Sequence, residues 1–256
     1  MTAVELKNVN KQFSGMGYKA LDNVNISIKE GEFVTILGSS GCGKTTLIKT
    51  VNRLYEPDSG EVFLFGKNVL EEDPVQLRRR IGYVIQQIGL FPHMTVRDNI
   101  ATIPKILKWE KQKIDEEVNR ILKLVQLDPK EFRNRYPAQL SGGQQQRIGL
   151  ARALICDPKV MLLDEPFGAI DAINREKLQK ELKNIHSQSK KTYLFVTHDI
   201  QEAFRLGTKV VIMNQGRILQ YATPEEIIEH PADAFVERLI HTSETIKDYV
   251  EDGEGI

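Results

Sequence analysis

The sequence has 256 residues, of which 41% are apolar, and its 35 lysine and arginine side chains balance 35 aspartate and glutamate side chains. Zero net charge argues against a protein whose main task is to grip nucleic acid along a basic face. The longest apolar runs are far shorter than 18 residues, which argues against a membrane span. Two cysteines are too few for a disulfide framework and favour a reduced, cytosolic setting.

The first part of the chain has the alternating pattern of a sheet. TAVELKNVNKQF predicts an edge strand and lacks the apolar core of a signal peptide. ALDNVNISIKEGEFVTILG predicts two strands joined by a turn at Glu30–Gly31. The second strand holds the apolar run Phe33–Leu37, which is typical of a buried parallel strand. A helix is then predicted over KTTLIKTVNRL, and DSGEVFLFGKNV predicts a strand between two turns.

From about residue 90 to 155 the pattern becomes helical. In KIDEEVNRILKLVQL five apolar residues fall on one helix face; they are Ile114, Val118, Ile121, Leu122 and Val125. Buried-strand patterns return at KVMLLDEP and KTYLFVTHD, and a hairpin precedes a helix that starts at Thr223. The sequence thus predicts one domain over residues 1–240, a helical subdomain inserted at about 90–155, and a frayed acidic tail over 241–256.

The segment GSSGCGKT, residues 38–45, matches the phosphate-loop pattern G-x-x-x-x-G-K-[ST] and follows a predicted buried strand. Gly38, Gly41 and Gly43 would let backbone N–H groups converge on phosphate oxygens. Lys44 would place its charge on the β- and γ-phosphates, and the Thr45 hydroxyl would bind Mg²⁺. The alternative is a glycine-rich turn with a chance lysine. The same predicted nucleotide-binding segment also contains Ser39, Ser40, Cys42 and Thr46.

Two further predicted strands end in side chains suited to phosphate chemistry. VMLLDEP places Asp164 and Glu165 after an apolar strand, whose carboxyl end faces the ligand crevice of a parallel sheet. Asp164 suits Mg²⁺, directly or through water, and Glu165 suits a general base or a holder of the attacking water. YLFVTHD ends in His198, which could contact the γ-phosphate and that water. For each of these side chains the alternative is a solvated or structural role.

A second glycine-containing helix start lies within LSGGQQQRIGLARAL, residues 140–154. Ser141, Gly142 and Gly143 would leave a helix N-terminus open for a ligand to approach the backbone. An ordinary capped helix is the alternative, although it leaves the double glycine unexplained.

Phosphate loop, helical segment, LSGGQ, LLDEP and VTHD follow one another in the order seen in ATP-binding cassette (ABC) ATPases, which the sequence resembles from about Val4 to about Phe235. The resemblance implies an α/β fold with a P-loop NTPase (RecA-like) core, an N-terminal antiparallel β subdomain and an inserted α-helical subdomain. It also implies ATP and Mg²⁺ as cofactors and a homodimer that pairs head to tail. In such a dimer Ser141, Gly142, Gly143 and Gln144 of one copy face the ATP held by the phosphate loop of the other.

The resemblance carries three more residues over. Phe13 matches the aromatic that stacks on adenine, with a packing aromatic as the alternative. Gln86, in preference to its neighbour Gln87, matches the glutamine that senses Mg²⁺ and water. Asp171 matches the aspartate of the loop that crosses the dimer interface, and Ile170 beside it stands where the family more often has leucine.

Within the family the sequence resembles the ATPases of bacterial osmoprotectant importers, which carry glycine betaine, carnitine, choline and related quaternary amines. A related branch imports ergothioneine, and an importer of another amino acid-like solute is the alternative. A soluble ABC ATPase acting on DNA or ribosomes would be expected to show a second cassette, a long insertion or a basic arm. Many members of the subgroup continue into regulatory CBS domains, so regulation of that kind is not expected of a chain that ends at Ile256. The segments that carry this resemblance are VNRLYEPDSGEV, RRRIGYVIQQIGLFPHMTVRDNIA, RYPAQLSGGQQQRIGLARAL and DEPFGAID.

The resemblance implies partners at a membrane. The ATPase would sit at the cytoplasmic face, held by integral permease subunits that in turn receive solute from an extracytoplasmic binding protein. No nucleic-acid partner is implied. Leu90, Phe91 and Met94 are predicted to form part of a surface groove that receives a short permease helix, and the alternative is that they belong to the core of the helical segment.

Overall fold

The computed structural model describes residues 1–15, 17–85, 89–168 and 172–241. The chain forms two compact units: Met1–Pro74 with the chain from Thr192 onward, and Val75–Lys191. The predicted helical stretch of residues 90–155 lies inside the second unit. Whether the inserted subdomain has those limits stays a prediction.

Ten strands are found in the described residues: β1 (Thr2–Lys11), β2 (Leu21–Lys29), β3 (Phe33–Gly38), β4 (Ser59–Leu64), β5 (Lys67–Asn68), β6 (Ile81–Val84), β7 (Val160–Asp164), β8 (Thr192–Val196), β9 (Lys209–Asn214) and β10 (Arg217–Ala222). The α-helices of the same residues are α1 (Lys44–Val51), α2 (Pro74–Arg79), α3 (Val96–Ile100), α4 (Thr102–Ile106), α5 (Lys111–Leu124), α6 (Pro129–Phe132), α7 (Gly142–Leu154), α8 (Ala172–Ser189), α9 (Ile200–Leu206), α10 (Pro224–Glu229) and α11 (Ala234–His241). A short 3-10 helix, Pro137–Gln139, precedes α7.

The first unit contains an antiparallel sheet in the order β2-β1-β4-β5, which confirms the predicted antiparallel β subdomain. The prediction that β1 is an edge strand is wrong, because β1 pairs with β2 on one side and with β4 on the other. The alternation of apolar and polar residues in β1 arises because one face of the strand is buried, at Val4 and Leu6 for example. Alternation describes the two faces of a strand and carries no information about its two edges.

The same unit holds β10, β9, β3 and β8 side by side. β3 pairs in parallel with both β8 and β9, and every residue of β3 and β8 is buried. The prediction of buried parallel strands is therefore confirmed. Helix α9 packs on β3, where the Thr35 hydroxyl donates to the Ala203 carbonyl oxygen at 2.9 Å. The predicted helix start at Thr223 is also confirmed, since Thr223 and Glu226 form a reciprocal capping box.

The second unit combines the parallel pair β6–β7 with the helices of the middle segment. The predicted apolar face of α5 is confirmed, because Ile114, Val118, Ile121, Leu122 and Val125 are all at least 95% buried. VRDNIATIPKIL forms the two short helices α3 and α4, which meet at Ala101. Ion pairs join α5 to α3 and to the end of α6, because Asp115 accepts from Arg97 at 2.6 Å and from Arg133 at 2.7 Å.

In the part of the chain that the structure describes, no helix is long and apolar enough to cross a membrane. The predicted acidic tail lies outside the described residues, apart from His241 at the end of α11.

Candidate functional site

The phosphate loop connects β3 to α1 within the first unit. Gly43, the residue before α1, has φ +111°, and a Cβ atom there would lie 2.2 Å from the Ala20 carbonyl oxygen. A Cβ atom on Gly38 would lie 2.2 Å from the carbonyl oxygen of Met213. Because both obstacles are backbone atoms, only glycine fits at these positions. The chain's own geometry therefore requires the glycines that open and close the loop.

The loop gathers positive charge at a helix start. Lys44 is only 6% exposed, and its Nζ donates to the carbonyl oxygens of Gly38 at 2.7 Å and Ser39 at 3.0 Å. The N-terminus of α1 carries no side-chain cap, so its first backbone N–H groups face the loop together with the helix dipole. An ammonium group and an uncapped helix start within one glycine-bounded loop fit a polyphosphate. The loop side chains Ser39 and Ser40 are exposed, and Thr45 and Thr46 are half-buried.

Cys42 lies inside the loop and is nearly fully buried. Burial raises the pKa of its thiol, so at neutral pH it is a packing residue and not a nucleophile. Its carbonyl oxygen accepts from the Gly216 N–H at 2.9 Å, which ties the loop to the β9–β10 hairpin.

His198 lies at the same sheet edge as the phosphate loop. It comes two residues after Val196, which pairs with Ile36, and Gly38 comes two residues after Ile36. Since β3 and β8 run parallel, their carboxyl ends meet at one edge. The His198 side chain is exposed. The structure thus brings together two of the predicted elements, the loop and the histidine, within the first unit.

Phe13 lies just after β1 and is half-exposed. Its ring makes an edge contact with the Tyr55 ring at a centroid distance of 5.0 Å, and the Lys11 ammonium lies 5.7 Å from its centroid. Asp58 holds this segment in place by accepting from Lys11 Nζ at 2.7 Å and from the Gln12 N–H at 2.6 Å. The bond from Lys11 also holds the pKa of Asp58 below its usual value. Sequence reasoning missed Asp58, because nothing in the local pattern links it to Phe13.

Asp164 is the last residue of β7 in the second unit, and Glu165 follows it. Asp164 is 6% exposed, which is rare for a carboxylate unless it is hydrogen-bonded or binds a cation. Glu165 is half-buried and has φ +45°, a left-handed conformation that costs a non-glycine residue energy and is common at functional sites. The turn that follows is closed by the Gly168 N–H, which donates to the Glu165 carbonyl oxygen at 3.2 Å. The chain therefore leaves the buried strand abruptly at Glu165.

The helix start at residues 141–144 is a capping box. Ser141 Oγ accepts from the Gln144 N–H at 3.3 Å, and Gln144 Oε1 accepts from the Ser141 N–H at 3.0 Å. The alternative of a capped helix is thus correct as local structure, but it does not explain the glycines. A Cβ atom on Gly142 would meet nothing within 4 Å, and one on Gly143 would make only ordinary contact with Leu178 at 3.8 Å. Within the described chain, a Cβ atom would therefore fit at both positions without a steric clash.

A groove of roughly 350 Å³ lies in the second unit. Phe91 lines it and is 40% exposed, so the prediction of a surface groove is confirmed for this residue. Leu90 and Met94 are partly buried and are not among the described residues that line it. The guanidinium of Arg152 donates to the Gly89 carbonyl oxygen at 2.7 Å and lies 5.8 Å from the Phe91 ring centroid. Other lining residues are Arg78, Arg79, Ile81, Ile103 and Cys156.

Two predicted site residues, Gln86 and Asp171, lie outside the described residues. Within residues 1–15, 17–85, 89–168 and 172–241, no group of three or more histidine, cysteine or acidic side chains is placed to hold a metal ion.

The parallel strands, the glycine-bounded loop and the helix that follows it define an α/β protein of the P-loop NTPase class. Residues 21–168 match the family model described as ABC transporter. The chain belongs to the ABC transporter family.

Relatives and solved structures agree with this assignment. The chain is 51% identical to the choline transport ATP-binding protein OpuBA of Bacillus subtilis (strain 168), over 98% of this chain and 65% of the relative. It is 52% identical to the glycine betaine/carnitine/choline transport ATP-binding protein OpuCA of the same organism, over 93% of this chain and 62% of the relative. The chain thus spans less than two thirds of these relatives. A dimeric structure of the ATP-binding cassette MJ0796 bound to ADP and Pi matches with a TM-score of 0.76 and 36% identity, over 86% of this chain and 98% of that one.

The contrast between the two glycine-containing helix starts predicts opposite effects on stability. Gly43→Ala should lower the free energy of unfolding by about 1–3 kcal/mol, because the new Cβ meets the Ala20 carbonyl oxygen at a strained φ. Gly142→Ala should leave that free energy unchanged or raise it by up to about 1 kcal/mol, because alanine favours a helix. Urea unfolding of both variants measures the difference. A Gly142→Ala variant as unstable as Gly43→Ala would show that the chain's own packing needs both glycines.

Proposed function

We propose that the chain is the ATP-hydrolysing subunit of an ABC importer. Two copies would pair head to tail around two ATP molecules and drive the uptake of a quaternary amine of the betaine type. One observation carries the proposal: Gly38 and Gly43 of the phosphate loop are needed by the chain itself, whereas the glycines at 142 and 143 have space around them. The second pair is explained if a phosphate group held by another copy approaches the backbone there.

The phosphate loop would hold the polyphosphate of ATP. Backbone N–H groups between Gly38 and Thr46 would donate to its oxygens, and Lys44 would exchange loop carbonyls for the β- and γ-phosphates. When bound, Mg²⁺ would offset charge on these phosphates. The Thr45 hydroxyl and the Asp164 carboxylate would supply oxygen donors of the kind that Mg²⁺ prefers, and Gln86 is proposed as a further donor.

Glu165 would orient and deprotonate the attacking water, and His198 would contact the γ-phosphate. A carboxylate at a sharp strand end and an exposed imidazole at the edge of the phosphate-loop sheet suit these roles. Phe13 would stack on adenine, since part of its ring is exposed and the segment that carries it is fixed by Asp58. Asp171 is proposed to lie at the interface between the two copies.

Ser141 would complete the site of the other copy. Its Oγ accepts a hydrogen bond in the capping box, so the hydroxyl keeps its own proton for donation to a phosphate oxygen. Gly142 and Gly143 would let that phosphate reach the backbone N–H groups of α7, where the helix dipole favours negative charge. Gln144 would hold Ser141 in the orientation that this contact needs.

The solute and the membrane partner are inferred from relatives whose names specify choline and glycine betaine transport. The subunit would act at the cytoplasmic face of the membrane, bound to permease subunits that receive solute from an extracytoplasmic binding protein. The groove at Phe91 would seat a short permease helix. Three arginines and no acidic residue are among the described residues that line this groove, so a helix bearing an acidic side chain would fit best.

Replacing Glu165 tests the hydrolytic mechanism. Glu165→Gln should bind ATP but release phosphate on the order of 10²–10⁴-fold more slowly, which is the usual contribution of a positioned general base. The variant should also accumulate as an ATP-bound dimer in size-exclusion chromatography. Glu176→Gln, at an exposed ion pair with Lys180 on α8, is the matched control and should behave as wild type. Near-normal turnover in Glu165→Gln would remove the proposed role.

Mixing two inactive variants tests the contact between copies. Lys44→Ala weakens the phosphate loop, and Gly142→Arg blocks the second helix start while leaving the capping residues in place. Each variant alone should stay monomeric in ATP, because every site carries one lesion. A mixture should form an ATP-dependent heterodimer, in which one site is intact and the other carries both lesions. Size-exclusion chromatography with one copy tagged detects it, and a mixture that stays monomeric would contradict pairing in trans.

A charge in the groove should separate transport from ATP hydrolysis. Phe91→Asp should leave ATP hydrolysis by the isolated subunit within about twofold of wild type, yet abolish solute uptake, because apolar anchors carry most of the energy of such interfaces. Ile106→Asp is the control, since Ile106 is 54% exposed and is not a lining residue. Uptake of radiolabelled glycine betaine, choline and ergothioneine in a complemented deletion strain gives the readout. Normal uptake by Phe91→Asp would place the docking site elsewhere.

A further inference from the structure

A closed ring of hydrogen bonds links Thr197 and Asp199, the two residues that flank His198, to Glu202. The Thr197 hydroxyl donates to the Glu202 carboxylate and accepts from the Asp199 N–H at 3.0 Å. The Asp199 carboxylate in turn accepts from the Glu202 N–H at 3.0 Å. The ring therefore fixes the residue before His198 and the residue after it.

The ring is built from buried groups. Thr197 is 2% exposed and Glu202 is 6% exposed. Burying a carboxylate is costly unless hydrogen bonds and local charge offset the lost hydration. The Thr197 hydroxyl supplies one such bond, and the N-terminal turn of α9 supplies a favourable dipole. An apolar side chain at position 202 would fill the same space without that cost, so the polar ring is not needed simply to pack α9.

The ring is also anchored to the strand that leads into the phosphate loop. The Thr197 N–H donates to the Ile36 carbonyl oxygen at 3.1 Å, and Ile36 precedes Gly38 by two residues. His198 itself is exposed at that sheet edge. With both backbone neighbours fixed, the Cα–Cβ bond of His198 keeps one direction relative to the loop, and this limits the positions that the imidazole can reach.

We infer that Thr197 and Glu202 are positioning residues that aim His198 at the γ-phosphate. The inference rests on the proposed function, because it assumes the role of His198 in ATP hydrolysis. Loss of the ring should leave ATP binding intact and misalign the imidazole, and a displacement of about 1 Å at a reacting group can lower the rate on the order of 100-fold. The effect should therefore fall on kcat and not on KM.

The decisive variant is Thr197→Val, which keeps the shape of threonine and removes the hydroxyl. It should lower kcat at least about tenfold and change KM by less than about twofold, and Thr197→Ser should restore most of the lost kcat. Thr35→Val is the matched control, because it removes an equally buried hydroxyl that bonds the same helix at Ala203. Both valine variants should lower the melting temperature by a similar amount, about 2–4 °C, but Thr35→Val should keep wild-type kcat.

Two readouts exclude a merely structural role. Long-range ¹H–¹⁵N spectra of the imidazoles, with His198 assigned from His198→Ala, should show a shift of the His198 signals in Thr197→Val and none in Thr35→Val. In a His198→Ala background, Thr197→Val should cause no further loss of kcat. Should Thr197→Val fail to fold, Glu202→Gln keeps the size of the side chain and should also lower kcat at constant KM.

The outcomes separate this inference from the proposed function. If His198→Ala loses activity while Thr197→Val and Glu202→Gln keep wild-type kcat, the positioning role is overturned and the proposed function stands. A further loss from Thr197→Val in the His198→Ala background would overturn the role as well. If His198→Ala keeps wild-type turnover, the role proposed for His198 fails, and the inference fails with it.

Discussion

The approach of Gly43 to the Ala20 carbonyl oxygen is the contact on which the phosphate loop depends. A 2.2 Å separation between that oxygen and a Cβ atom leaves room only for glycine, and it fixes where α1 begins. The fixed helix start in turn sets the position of Lys44 beside the carbonyl oxygens of Gly38 and Ser39. Parallel pairing of β3 with β8 then brings His198 to the same edge. The backbone geometry therefore places the loop, Lys44 and His198 at one edge, where a polyphosphate could bind.

At the second helix start, by contrast, packing within the described chain does not require the glycines. Ser141 and Gln144 satisfy the helix end by themselves, and the space around Gly142 would accept a side chain. A glycine that folding does not require is explained if another molecule must approach its backbone. If two copies share their phosphate contacts, the phosphate held by one copy approaches these glycines in the other, and ATP itself becomes part of the interface. A membrane partner bound in the groove at Phe91 would then move when such an interface opens and closes.

Much of this organisation could be predicted from the sequence, because it is written in local patterns. The loop, the buried strands, the apolar face of α5 and the cap at Thr223 each depend on residues close together in the chain. The position of β1 could not be predicted in this way, since its partner β4 lies about fifty residues further on. The support of Phe13 by Asp58 was missed for the same reason, because Asp58 lies far along the chain from Lys11 and Gln12. The members of the ring at Thr197 are close together in the chain, but residue identity alone does not show that the Thr197 hydroxyl and the Glu202 carboxylate are buried and bonded to each other. At Ser141 the two interpretations of the sequence, a capped helix and a helix start that binds phosphate, are compatible, because a capped helix start can still bind an anion.

ATP-dependent cross-linking tests most directly whether two copies share each nucleotide. Cys42 and Cys156, the two native cysteines, are first replaced by serine, and Ser40→Cys and Ser141→Cys are made in separate, differently tagged copies that also carry Glu165→Gln. Proposed pairing in trans predicts a disulfide between the two copies on mild oxidation with ATP, and none without ATP or with either copy alone. A mixture that gives no ATP-dependent disulfide between the copies, or an equal yield with and without ATP, would contradict it.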